Sequence, residues 1–236
     1  MRAGRTATLL GALLALAGCT TTVRQHPDFP ARRPHIATVA VMPPDVHFVR
    51  RVFSGDDERL GAEAEAARSR LPGLIGAALA GRGFTVKPAL LDEEDFAADP
   101  ELRYQTTVIQ SRFANAGRWL RPFAALRRTD AEGTRVSLGP DVNRFADHAD
   151  VDALVFTQMA GWKKSSGEIA KDVAVSVLLL GNVLYHTSTG GLEVGLVDGT
   201  TGEVLWANSV LVSGRDFADA ALPGMVRQVF DGFPRR

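Results

Sequence analysis

A single cysteine, Cys19, stands in a chain of 236 residues. No internal disulfide can form, so the fold has to be held by packing alone. Excess charge of one sign is equally missing: 27 Lys and Arg balance 27 Asp and Glu. Without a basic footprint there is no case for a nucleic-acid partner. Long apolar runs are absent too. The run "VAVSVLLLGNVLYH", from Val173 to His186, falls short of the roughly 20 residues a membrane-spanning helix needs. The five histidines, at 26, 35, 47, 148 and 186, match no recognised metal-ligand spacing. His35 and His47, with Asp45 between them, are the pair that could approach one another at the end of the first strand. The "GRG" at 81 to 83 does not extend to a dinucleotide fingerprint, and no phosphate-cradling loop or G-x-S-x-G nucleophile turn occurs.

What is present begins at the amino terminus. Arg2 and Arg5 precede the apolar stretch "ATLLGALLALAG", and Leu16-Ala17-Gly18-Cys19 closes it. Basic leader, short apolar core and small residues are the order of a secretory signal. The last four residues resemble the lipobox of bacterial lipoproteins. That resemblance implies cleavage after Gly18, a diacylglycerol on the Cys19 thiol and an acylated new amino terminus. Several acyl chains at roughly 0.8 kcal/mol per buried methylene make such attachment durable. Thr20 follows, rather than the Asp that resembles an inner-membrane retention signal, so the expected destination is the outer membrane. Residues 1–18 are read as signal peptide and 19–34 as a lipidated, extended, proline-rich tether. A periplasmic domain is expected over 35–236, with a helical insertion at about 92–140. No cofactor is expected besides the lipid on Cys19.

Hydrophobic patterning predicts an α/β domain. "HIATVAVMPP" is a first strand stopped by Pro43 and Pro44. After a loop holding Asp56, Asp57 and Glu58, Leu71, Leu74, Ile75, Ala78 and Leu79 recur at helical spacing up to Gly81 and Gly83. "FTVKP" is a second strand. Leu102, Ile109, Phe113, Leu120 and Phe123 mark another helix, with Gly117 and Pro122 as breaking points. "PDVNRFADHADVD" is a short helix leading into the strand "ALVFTQMAGW". "VAVSVLLLGNVLYH" is predicted to be a buried strand with Gly181 at a bulge. "LEVGLVDGTTGEVLWANSVLV" is a hairpin turning at Asp198 to Gly202. Phe217, Ala220, Ala221, Val226, Val229 and Phe230 line a closing helix. The expected order is β-α-β-α-β-β-β-β-α, one mixed sheet with a late antiparallel hairpin and helices packed on it.

An exported lipoprotein carrying "TVAVMPP", a helix closed by "GRGFTV", a strand "DALVFTQM" and then "LVDGTTGEVLW" is similar to the curli-transport-like lipoproteins. Related domains occur in the lipoprotein activators of penicillin-binding proteins and in the amino-terminal domain of the Tol-system translocation protein. The resemblance spans roughly Ile36 to Phe233 and rests on structural motifs. It implies a periplasmic binding or assembly role, often in oligomers, with Asp198 and Gly202 shaping the hairpin turn. A pore subunit of that group would place an amphipathic hairpin at Lys163 to Gly190, with strands of roughly 9 to 11 alternating residues. The one such run here stops alternating past Val177. The expected function is therefore an outer-membrane lipoprotein whose domain scaffolds or regulates an envelope complex. The alternatives are a lipid-anchored, hydrolase-like envelope enzyme and a curli-type pore subunit. A polar pocket gathering His35, His47 or His148 beside acids would favour the enzyme.

The one basic aromatic cluster interleaves Arg112, Arg118, Arg121, Arg127, Arg128 and Arg135 with Phe113, Trp119 and Phe123. A solvated helix face over buried rings is the plain reading. A docking surface for an anionic partner is the sharper one, centred on Arg118, Trp119, Arg121, Arg127 and Arg128. Trp162-Lys163-Lys164 could extend it. Replacing Arg118, Arg121, Arg127 and Arg128 together by Ser is expected to weaken association with anionic liposomes or an acidic partner in pull-down and to leave the fold unchanged by circular dichroism; undiminished association removes the docking role.

Overall fold

The structure, a computed structural model, describes residues 22–87, 91, 93–120, 135–178, 187–214 and 217–235. In chain order the elements are β1 (Thr22–Gln25), α1 (Phe29–Arg32), β2 (Thr38–Val41), β3 (Asp45–Arg51), β4 (Glu58–Arg59), α2 (Gly61–Ala80), β5 (Thr85–Lys87), α3 (Glu93–Ala98) and α4 (Pro100–Leu120). There follow α5 (Val142–Ala149), β6 (Ala153–Lys164), α6 (Ser166–Leu178), β7 (Ser188–Asp198), β8 (Val204–Ser213) and α7 (Leu222–Val229). All eight strands join one mixed sheet, ordered β1-β8-β7-β6-β2-β5, with β3 beside β6 and β4 beside β3.

Strand β6 is the spine. Along one edge it pairs antiparallel with β7, from Ala153↔Asp198 to Lys163↔Ser188. Its other edge takes two short parallel strands in series: β2 against Ala153–Val155 and β3 against Gln158–Lys164. Pro43 and Pro44 separate them, as expected of residues that have no amide to give to a ladder. Paired on both edges and covered on both faces, β6 buries Ala153, Leu154, Val155 and Phe156 without alternation of polarity.

Side-chain alternation divides the core in two. Val39, Val41, Ala153, Val155, Leu192, Val194 and Leu196 face the layer of α2 and α7, where Leu71, Ile75, Leu79, Met225 and Val229 are fully or almost fully buried. Ala40, Met42, Leu154, Phe156 and Val197 face α4 and α5, packed against Ile109, Phe113, Val142 and Phe145. A register shift at Leu196/Val197 lets Leu205 and Trp206 both serve the first face. The α/β class, the mixed sheet and the late hairpin agree with the sequence pattern.

Other expectations need correction. The stretch read as an extended tether is folded from Thr22 onward. Here β1 pairs antiparallel with β8, and Phe29 of α1 is completely buried, its ring 6.5 Å from that of Phe233. Strands β3 and β4 fall where a loop was expected; the alternating Val46 and Phe48 are buried against α2 and Phe217. Val173 to Leu178, expected in a strand, lie in α6, because Ser165 begins a helix there. Its Oγ accepts the Glu168 amide at 3.2 Å, as an N-cap hydroxyl does. The segment Lys163 to Gly190, where the pore-subunit alternative would place an amphipathic hairpin, is helical from Ser166 to Leu178. Helix α4 runs through Gly117 without a break, while Pro122, Phe123 and Gly181 lie outside the described residues. The closing helix starts only at Leu222, after a turn that buries Phe217.

Two facing glycines give that phenylalanine its seat. Gly161 and Gly190 are register partners, and a Cβ on either would meet the Phe217 ring at 2.4 Å. Phe48 meets the same ring edge-on at 4.9 Å. The strands can hold the ring flat against backbone only while both positions lack side chains. Gly190→Ala is expected to cost about 1–3 kcal/mol by overpacking, and Phe217→Ala about 3–5 kcal/mol by leaving the seat empty; urea unfolding of each variant reads both values.

Candidate functional site

The fold concentrates unusual chemistry in two places. One is a clasp that binds the N-terminal segment to the β7–β8 turn. The turn is built by Asp198, whose Oδ1 accepts the amides of Thr200 (3.0 Å) and Thr201 (2.9 Å), and by Gly202 at φ +69°. A Cβ at Gly202 would lie 2.1 Å from the Gly139 carbonyl oxygen, so only glycine fits. The shaping roles expected of Asp198 and Gly202 are both seen. Against this turn, Arg32 places its guanidinium 2.6 Å from Glu203 and 3.6 Å from Asp198. The hydrogen bond to Glu203 is the main reason the Arg32 ionisation lies above its ordinary value, with burial acting against it. Next to it His26 is buried, its backbone amide donating to the Leu205 carbonyl at 2.8 Å. Its Nδ1 accepts the Asp28 amide at 3.1 Å, and its Nε2 lies 3.7 Å from Glu203.

The second place is the end of the sheet where β3 and β6 finish and β7 begins. Register pairs Val49 with Trp162, Arg50 with Lys163 and Arg51 with Lys164. The Trp162 ring has the Arg51 guanidinium 4.3 Å from its centre and the Lys164 ammonium 5.9 Å away. Lys163 stands 5.5 Å from the Phe217 ring and Lys171 5.1 Å from that of Phe53. Acids accompany the cations: Glu58 bonds Arg50 at 2.9 Å, Asp172 bonds Lys164, and Glu168 lies 3.6 Å from Lys171. Phe53 (61% exposed) and Val173 (51%) flank the cluster in solvent.

Among the described residues the histidines do not converge, and His186 lies outside them. His35 precedes β2, whereas His47 sits in β3 beyond its end, and it bonds the neighbouring Asp45 at 2.7 Å on the surface. His148 lines a cavity of about 10 Å³ between α5 and β2, walled by Met42, Phe145 and Leu154. Such a volume holds one water at most. Among the described residues no group of three or more His, Cys, Asp or Glu could hold a metal ion. Among them, too, no helix is long and apolar enough to cross a membrane.

Of the basic aromatic cluster, Arg112 and Phe113 have structural duties. Arg112 donates to the Leu138 carbonyl (2.9 Å) and to Asp141 (2.8 Å); Phe113 lies over Gly195, where a Cβ would be 2.4 Å from its ring. Arg118 and Trp119 belong to the last turn of α4, but their side chains, like all of Arg121, Arg127 and Arg128, lie outside the described residues, as do Gly18 and Cys19. The cluster at Arg51, Trp162 and Lys164 escapes a sequence reading because register, not local spacing, creates it.

No protein-family model matches this chain, and no curated protein matches its sequence. Among solved structures it is similar to the PelC dodecamer of Paraburkholderia phytofirmans, at 11% identity over 93% of this chain and 99% of that one, with a TM-score of 0.42. It is similar also to lipoprotein GNA1162 of Neisseria meningitidis (14% identity, 83% and 96% covered, TM-score 0.35). A third is the C-terminal domain of LpoB from Salmonella enterica (14% identity, 86% and 92% covered, TM-score 0.28). All three likenesses are distant.

The clasp makes its own prediction. Arg32→Ala is expected to destabilise the protein by about 1.5–3 kcal/mol, the usual worth of a partly buried hydrogen bond to a charged group. Amide exchange should rise first at Val23 to Gln25. Equal exchange across the whole sheet would show that β1 is not a separate, clasp-held unit.

Proposed function

We propose that the chain is an outer-membrane lipoprotein, attached through acyl groups on Cys19, whose α/β domain binds another component of the envelope and supports its assembly or regulation. The observation that carries this reading is the run Arg2, Arg5, the apolar core and Leu16-Ala17-Gly18-Cys19. Basic leader, short apolar core and small residues before a cysteine are what a cleaved and lipidated leader requires.

A binding role is supported by how the polar groups are spent. Asp152 Oδ2 accepts the Ala37 and Thr38 amides at 2.7 and 2.8 Å and fastens the start of β2 to β6. Asp198 holds a turn, and Arg32, Glu203 and His26 hold the N-terminal segment. Each serves the scaffold, and the exposed ends of the sheet are left as surfaces for a partner. The partner is expected to be a protein, a second copy of the chain included.

Mass spectrometry of the protein extracted from membranes tests the anchor. A mature chain starting at Cys19 with diacylglycerol and amide-linked acyl mass is expected, and Cys19→Ser should leave the membrane fraction or remain unprocessed. An intact leader, a bare thiol, or a Cys19→Ser chain that still fractionates with the outer membrane overturns the assignment.

A further inference from the structure

We infer that the sheet end built from the last residues of β3 and β6, the first of β7 and the last of β8 rests on the phospholipid bilayer, with Phe53, Trp162, Val173 and Leu211 as its contacts. This rests on the Cys19 anchor proposed above and adds an orientation to it. Strand β1 runs antiparallel to β8 and opens with Thr22 opposite Ser209. The chain therefore enters the fold from the side on which β8 proceeds to Ser213. That side also holds Ser188, Lys163 and Arg50, which share one level of the sheet. Only Thr20 and Thr21 lie between Cys19 and Thr22, a reach of about 10 Å over three Cα steps. The far end of β7, 11 residues away, is about 35 Å distant at the rise of a strand. A lipid on Cys19 holds the near end at the membrane and leaves the Asp198–Gly202 turn well above it.

The near end is dressed for that surface. Five large apolar side chains among the described residues are exposed: Val23, Phe53, Tyr104, Val173 and Leu211. Scattered singly they would need no explanation, yet Phe53, Val173 and Leu211 gather at this end, while Val23 pairs with Asn208 at mid-sheet and Tyr104 lies on α4. Leu211 (53% exposed) lies two residues from the end of β8, and Phe53 follows β3. Phe53 packs under Lys171 on α6, the helix that carries Val173. Trp162 between Arg51 and Lys164 adds an amphipathic ring whose cationic neighbours have stems long enough to reach headgroups while the ring stays at the acyl boundary. Three of the five cations here, Arg50, Lys164 and Lys171, are paired with Glu58, Asp172 and Glu168, so apolar and aromatic burial supplies much of the attraction.

The test uses the full lipidated chain in its own membranes, with photoreactive benzoylphenylalanine replacing Phe53, Val173 or Leu211 in turn, and Thr200 or Glu101 as distant positions. After irradiation, phospholipid adducts are counted by mass spectrometry. Adducts at Phe53 and Leu211 are expected to exceed those at Thr200 by at least about five-fold, since only acyl-depth contact yields them. They should persist in about 0.5 M salt, which screens exposed charges. Equal yields at both ends, or crosslinks from Phe53 and Leu211 to protein in place of lipid, overturn the orientation alone when the chain is in the membrane fraction. A chain found outside that fraction overturns the anchor and the orientation with it.

Discussion

Strand β6 is hydrogen-bonded along both edges, and this double pairing constrains the rest of the domain. Its 12 residues cross the whole molecule, so the short strands β2 and β3 can each occupy part of one edge while β7 takes the other. With partners on both sides, β6 has to be apolar on both faces, and two helical layers have to cover it. The layers of α2 and α7 below and α4 and α5 above follow from that requirement. The termini answer to it as well: β8 continues the sheet beyond β7, and β1 closes on β8, so the first described residues become its outermost strand.

Glycines set the close approaches within this frame. Phe217 lies on Gly161 and Gly190, and Phe113 on Gly195, each where a methyl group would collide with the ring. Bare backbone thus serves as wall for an aromatic side chain on either face of β7. Trp206 completes the lower layer, stacked on Phe230 at 5.9 Å and meeting Phe233 edge-on at 4.5 Å. Arg82 closes the corner, bonding the Ala78 and Phe230 carbonyls at 2.8 Å each; burial lowers its ionisation below the ordinary arginine value.

The legible parts of the sequence were those in which local period and local stops agree. "TVAV" before two prolines, the Leu71 to Leu79 helix and the Asp198 to Gly202 turn needed nothing from distant residues. The first strand and helix were hidden because their stabilisation is distant: "TVRQHPDF" is polar and broken by proline, and the Phe29 ring against Phe233, with the His26 backbone amide on the Leu205 carbonyl, pays for its ordering. In α6 the β-branched Val173, Val175 and Val177 suggested a strand, whereas the Ser165 N-cap that starts the helix was overlooked. The cluster at the sheet end depends on pairing Arg51 with Lys164 across more than a hundred residues, which no window can read. The basic segment around Arg121 to Arg128 stood out for the opposite reason, its residues being neighbours in sequence.

The direction of β1 has a mechanical consequence. Force applied to the chain ahead of Thr22, along the strand, loads the β1–β8 ladder in shear, so its four residue pairs bear the tension together instead of unzipping one after another. Behind them the Phe29 socket and the Arg32–Glu203 bond would have to give before the pull reached the sheet. A domain tugged from that terminus resists through a whole ladder at once.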